Sequence, residues 1–180
     1  MKVADVVRKV RLYLRDLTKT ALSDWEIVEG INDALSLFAD INAAVKGQLF
    51  RNTATLTFTD GTASLPVDFL KVERVYSTAG AELFRVFESA PGDGEYAISG
   101  LDVTSGESSA TMFYFGRHAA VSSGGDDIDL PAGYLVPFSR VSAAAVRGDV
   151  STMETLAAAY IQGKLSSESE EETEDSSDDE

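Results

Sequence analysis

SDWEIVEGINDALSLFADINAAVKGQLFRNTATLTFTDG, residues 23–61, holds the change of period on which the fold turns. Ser23-Asp24-Trp25-Glu26 reads as a capping box, with the serine oxygen on the amide three residues on and Glu26 reaching back to the serine amide. Asp24 suits the positive end of the helix dipole. Behind the box Ile27, Ile31, Ala34, Phe38, Ile41 and Val45 recur by fours and threes, with Val28 and Leu35 widening the stripe, so a helix is expected to end near Gly47. Six residues later Thr53, Thr55, Thr57 and Thr59 alternate with Ala54, Leu56 and Phe58. A period of two with β-branched residues is a strand, and Asp60-Gly61 is the dipeptide of a tight hairpin turn.

Upstream, Val3, Val7, Val10, Leu14 and Leu17 form another helical stripe, and Arg8, Arg11 and Arg15 fall on a different face. The two helices are expected to pair as a hairpin that buries both stripes, with Trp25, Ile31 and Phe38 in the core. Downstream, strands are expected at Phe69–Tyr76, Glu82–Phe87, Tyr96–Val103 and Ala110–Phe115, separated by turn-rich segments. Helical spacing returns after Pro131 through Tyr134, Phe138, Val141 and Ala145. Arg147-Gly148-Asp149 reads as a helix exit and Ser151-Thr152-Met153-Glu154 as a second capping box.

The fold class expected is α+β: a helical bundle formed by N- and C-terminal helices, with an antiparallel β-sheet or small barrel insertion. The divisions are residues 1–48, an N-terminal helical hairpin; 49–128, the antiparallel β insertion; 129–164, C-terminal helices completing the bundle; and 165–180, an acidic tail.

Charge is divided unevenly along the 180 residues, whose net charge is −15. From Glu168 to Glu180 there are nine acids and no base, whereas residues 1–20 carry Lys2, Arg8, Lys9, Arg11, Arg15 and Lys19 against Asp5 and Asp16. A basic end and an acidic end suit contact between copies or partners. On composition the tail reads as a solvated extension, or as a segment that orders on a partner. The absence of cysteine excludes disulfides, thiol catalysis and thiolate metal sites. Charges interrupt every apolar stretch near Met1, and nowhere do about 18 apolar residues run together, so neither a signal peptide nor a membrane span is expected and the chain reads as cytoplasmic in type.

Chemistry finds little purchase. His118 is the single histidine and lies in Gly116-Arg117-His118-Ala119 with no neighbouring ligand type. Asp126-Asp127-Ile128-Asp129 lacks the spacing and the closing glutamate of a calcium loop, and reads as a turn or as a cap at Asp129. Gly163-Lys164-Leu165 is no phosphate loop, and Arg147-Gly148-Asp149 matches an integrin ligand by letters alone. Paired carboxylates hidden by the fold would make the chain a small hydrolase, but nothing singles out two of them. No catalytic residue, metal or cofactor is expected.

Val3–Leu17 followed by Leu22-Ser23-Asp24-Trp25-Glu26-Ile27-Val28-Glu29-Gly30-Ile31-Asn32-Asp33-Ala34-Leu35 resembles the N-terminal hairpin of tailed-bacteriophage head-to-tail adaptor (connector, or head completion) proteins. Leu65-Pro66-Val67-Asp68-Phe69 resembles a segment that enters the next strand in phage neck proteins, and residues 129–163 are similar to the family's closing region. The resemblance implies a non-enzymatic structural protein of the virion neck, assembled in the host cytoplasm. It implies a homo-oligomeric ring on the portal protein that extends the DNA channel and presents a surface to the next neck or tail component. DNA would pass without specific binding, since acidic walls do not neutralise phosphate. Partner contact is assigned to Arg8, Arg11 and Arg15. The alternatives are a tail-completion or fibre-attachment protein, or the small hydrolase.

Overall fold

A computed structural model describes the backbone of residues 1–17, 21–87 and 90–174, and side chains as far as Gly163. In chain order the elements are α1 (Val3–Leu14), α2 (Asp24–Val45), β1 (Arg51–Thr57), β2 (Thr62–Ser64), β3 (Phe69–Ser77), β4 (Phe84–Arg85), β5 (Glu95–Ser99), β6 (Asp102–Ser105), β7 (Ser109–Gly116), a 3-10 turn (Ala132–Tyr134), α3 (Leu135–Val146) and α4 (Val150–Glu174). They divide into two compact units: Met1–Leu49 with His118–Glu180, and Phe50–Arg117.

The helical unit begins its second helix as the sequence dictates. Ser23 Oγ accepts from the Glu26 amide at 3.2 Å and the Ser23 amide donates to Glu26 Oε2 at 2.7 Å, which holds the Glu26 carboxyl below its ordinary range. The helix ends near Gly47 as expected, at Val45, with Lys46 in the left-handed C-cap conformation. Gly47 is needed for room, because a Cβ there would lie 2.2 Å from Asn42 Oδ1.

The expected architecture needs correcting, although the mixed α+β class stands. The helices do not form a bundle in which an N-terminal hairpin is closed by C-terminal helices. α1 and α2 touch each other sparsely, and both pack chiefly on α3. The reason lies in α2, whose buried residues (Ile27, Val28, Gly30, Ile31, Ala34, Leu35, Phe38, Ala39, Asn42 and Ala43) make a stripe too broad for one partner. Gly30 lets α3 approach, since a Cβ there would lie 2.4 Å from Val146 Cγ2 and 3.2 Å from Ser142 O. Phe38 meets Phe138 edge-on at 5.3 Å and Tyr134 at 6.3 Å, anchoring the contact.

Two expected core residues, Ile31 and Phe38, are fully buried, but Trp25 is 69 % exposed. It sits in the first turn of α2, where neither α1 nor α3 covers it. In α1 the buried set is Val3, Val6 and Val10 joined by Arg11, while Leu17 lies beyond the helix and is exposed. The exit at Arg147-Gly148 forms as expected, with Gly148 at φ +69°. The second capping box does not form. Asp149 caps α4 instead, accepting from the Thr152 amide at 3.1 Å, and Ser151 lies within the helix. Residues 165–174 continue α4 as backbone, and the remaining expected tail residues, 175–180, lie outside the described residues.

The β unit is neither one antiparallel sheet nor a barrel. It holds a three-stranded sheet of order β1-β7-β3 and a four-stranded sheet of order β2-β6-β5-β4, whose β4–β5 pair is parallel. The Asp60-Gly61 turn forms, with φ of +51° and +76°, and Thr59 and Thr62 exchange both backbone bonds. Its two strands then part. β1 pairs with β7 and β2 with β6, so the hairpin bridges the sheets. The expected strand Tyr96–Val103 is also two strands folded about Gly100, at φ +62°. Leu56, Val75, Ala110, Met112 and Tyr114 from one sheet meet Ala63, Tyr96 and Val103 from the other in a single apolar core.

Candidate docking surface

The three arginines of the first helix occupy different environments. Arg11 is 4 % exposed. Its Nη1 donates to Asp16 Oδ2 at 2.6 Å, its Nη2 donates to Asp24 Oδ1 at 2.6 Å, and both donate to Leu22 O at 3.1 Å. Asp16 accepts in turn from the amides of Ala21 and Leu22, each at 3.2 Å. Arg11 therefore holds the α1–α2 connection from inside and does not share an open face with its neighbours. Its spacing contained the signal: it lies four residues after Val7, at the edge of the apolar stripe. Arg8 is exposed and makes a 3.5 Å ion pair with Asp5, an interaction worth little in water. Arg15 is exposed as the left-handed C-cap of α1.

Beside this connection lies a cavity of about 390 Å³ whose walls include Ala4, Val7, Leu17 and Val28, with Arg8 and Asp24 among its polar residues. Leu12, Leu17 and Trp25 are all exposed in the same stretch of chain. Large apolar side chains left in water close to mixed charges are what a protein–protein contact uses.

Polar residues that sequence reasoning passed over fix the connections of the helical unit. Asn32 bonds Val121 in both directions: its Oδ1 accepts from the Val121 amide at 2.8 Å and its Nδ2 donates to Val121 O at 3.0 Å. Asn42, 1 % exposed, does the same to Leu49. His118 accepts from the Asp129 amide at Nε2 (2.9 Å), while Nδ1 lies 2.6 Å from Ala119 O, which places the proton on Nδ1. The acids of Asp126-Asp127-Ile128-Asp129 are turned to structural ends. Asp126 takes the amides and hydroxyls of Ser122 and Ser123, which hold its carboxyl down at about 2. Asp127 pairs with Lys2 at 2.6 Å. Asp129 does not cap the next helix, whose N-cap is Pro131. Among the described residues no group of three His, Cys, Asp or Glu could hold a metal ion.

In the β unit Asp68, within Leu65-Pro66-Val67-Asp68-Phe69, ties three strands. Its carboxylate accepts from Tyr114 Oη at 2.9 Å and Asn52 Nδ2 at 2.8 Å, and its carbonyl accepts from the Arg117 amide at 2.7 Å. Gly116 is required beside it, since a Cβ would fall 2.6 Å from Asp68 Oδ2. Val67, the residue before, is fully exposed, as are large parts of Phe84, Phe87 and Leu101. Both units thus present apolar side chains to solvent. No helix of the described residues is long and apolar enough to cross a membrane.

A protein-family model described as SU10 adaptor protein matches residues 1–176. No curated protein matches the chain.

Proposed function

The chain belongs to the SU10 adaptor protein family, a phage head-tail adaptor family, and from that premise we propose how this structural component of the virion works. Copies form a ring on the portal protein, extend the DNA channel, and offer a docking surface to the next neck or tail component. The observation that carries this reading is the family match across residues 1–176. Two properties of the molecule support it. Leu17 and Arg8 line the helical cavity, and Leu12 and Trp25 are exposed in the same stretch of chain, so apolar side chains and charge are both offered to a partner there. A net charge of −15 disfavours adhesion to DNA phosphate, so DNA passes without specific binding. Arg8 and Arg15 are the exposed residues assigned to partner contact.

Native mass spectrometry of the chain mixed with its portal ring tests the reading. One bound copy per portal subunit is expected. A folded chain that leaves the portal bare overturns portal binding and moves the role to a tail-side component.

A further inference from the structure

The helical unit carries a second charged feature, which shares only Arg15 with the adaptor reading. Around Tyr13, near the C-terminal end of α1, four cations gather from two helices. The Arg140 guanidinium lies 5.8 Å from the Tyr13 ring centroid and its Nη1 donates to Tyr160 Oη at 3.3 Å. Arg147 Nη2 donates to the Tyr13 carbonyl at 3.1 Å. Lys9 stands one helical turn before Tyr13, and Arg15 follows it at the C-cap. Among the described residues none of the four makes an ion pair, unlike Lys2, Arg8, Arg11 and Arg51. Asp149 caps α4 through the Thr152 amide, and the charge of Arg147 helps to hold its carboxyl down, though the two make no ion pair. In a chain with twice as many acids as bases, four cations without an ion pair around one tyrosine leave positive charge for further carboxylates to meet.

We propose that this Tyr13-centred patch receives the acidic segment Glu168–Glu180 of a second copy. Charge complementarity selects the segment, which has nine carboxylates in thirteen residues and no base. Reach selects the second copy. Arg140 meets α4 at Tyr160, and the helix runs on for fourteen residues to Glu174, about 21 Å at 1.5 Å per residue. The six residues Asp175–Glu180 span at most about 20 Å when fully extended. Within one copy, at most the last of them would return to Arg140, and none would reach Arg147 at the far end of the patch. A neighbouring copy has no such restriction. A head-to-tail contact of this kind, with a different surface on each side, is what a ring requires. Phosphate of a nucleic acid is the competing counter-charge, and the surrounding negative charge of the chain opposes it. The proposal rests on the neighbouring-copy part of the adaptor reading.

The test titrates the full chain into a fluorescein-labelled peptide of residues 163–180 at low salt, read by anisotropy, beside a labelled 20-base-pair DNA duplex. Peptide binding is expected, weakening with added salt. The Lys9→Glu/Arg147→Glu variant should bind at least tenfold more weakly while keeping its thermal midpoint; should the reversal disturb folding, Lys9→Gln/Arg147→Gln takes its place. Equal affinity for wild type and variant, no peptide binding, or binding of the duplex in preference to the peptide overturns the proposal. No portal is present in the titration. Peptide binding with failed portal assembly therefore counts against the ring reading, and the converse counts against the patch.

Discussion

The two units solve the same problem by different means. In the helical unit, connections are held by buried or half-buried polar side chains that reach across to loop backbone: Arg11 to Leu22, Asn32 to Val121 and Asn42 to Leu49. In the β unit, turns close through their own backbone, as Thr59 and Thr62 do around Asp60-Gly61, and one carboxylate, Asp68, ties the strands. The difference follows from where hydrogen bonds go. A helix satisfies its own interior and leaves the segments between helices without partners, whereas a strand finds its partner in the next strand. Single substitutions should therefore hurt the helical unit more, and at positions far apart in sequence.

Arg11 offers the largest effect. Arg11→Met fills much of the space but removes the buried guanidinium that pairs with Asp16, itself 4 % exposed. Breaking a buried pair from one side costs about 3–5 kcal/mol. Denaturant unfolding should show that loss, while Arg8→Met on the same helix stays within about 0.5 kcal/mol. Similar small losses for both would mean that the connection is held by something other than Arg11.

Asn42→Ala comes next, at about 1–3 kcal/mol, because it strands the amide and carbonyl of Leu49 together. Of comparable size is Gly30→Ala. A methyl group raises helix propensity by about 1 kcal/mol, yet it would lie 2.4 Å from Val146 Cγ2 with α3 backbone close behind. Overpacking of this kind costs about 1–3 kcal/mol, so a net loss is expected in a thermal melt. A gain would show that α3 can retreat, and that its central place among the helices is loosely set.

How far the sequence foretold this arrangement depended on the range of the interaction. Local signals were legible: the Ser23–Glu26 box, the Asp60-Gly61 turn, the Gly148 exit and the burial of Ile31 and Phe38 all follow from residues a few positions apart. Features set by tertiary partners were not. Trp25 carries the composition of a core residue, and only the positions of α1 and α3 leave it in water. The parting of β1 and β2 into different sheets has no local mark, since each is a good strand in either. Charge was half legible: the excess of cations at the N-terminal end is plain, but Arg11 turns inward, while Arg140 and Arg147 join Lys9 and Arg15 only through the approach of α3 to α1.

The smallest effect belongs to the β unit and is best seen with pH. Burial, reinforced by the bond to Asp68, pushes the Tyr114 phenol up to about 12. An unfolded tyrosine titrates near 10. Below pH 10 Tyr114 is protonated in both states and its contribution is fully present. Between 10 and 12 the unfolded chain gives up that proton while the folded chain keeps it, so the contribution is lost as pH rises through that window. Tyr114→Phe keeps the ring and removes the titration. At pH 7–9 it should cost about 1 kcal/mol, one hydrogen bond to a carboxylate that keeps Asn52. Across pH 10–12 the gap between wild type and variant should close in chemical denaturation. A gap that stays constant to pH 12 would show that the phenol titrates alike in both states, leaving the β unit to its apolar core and strand pairing alone.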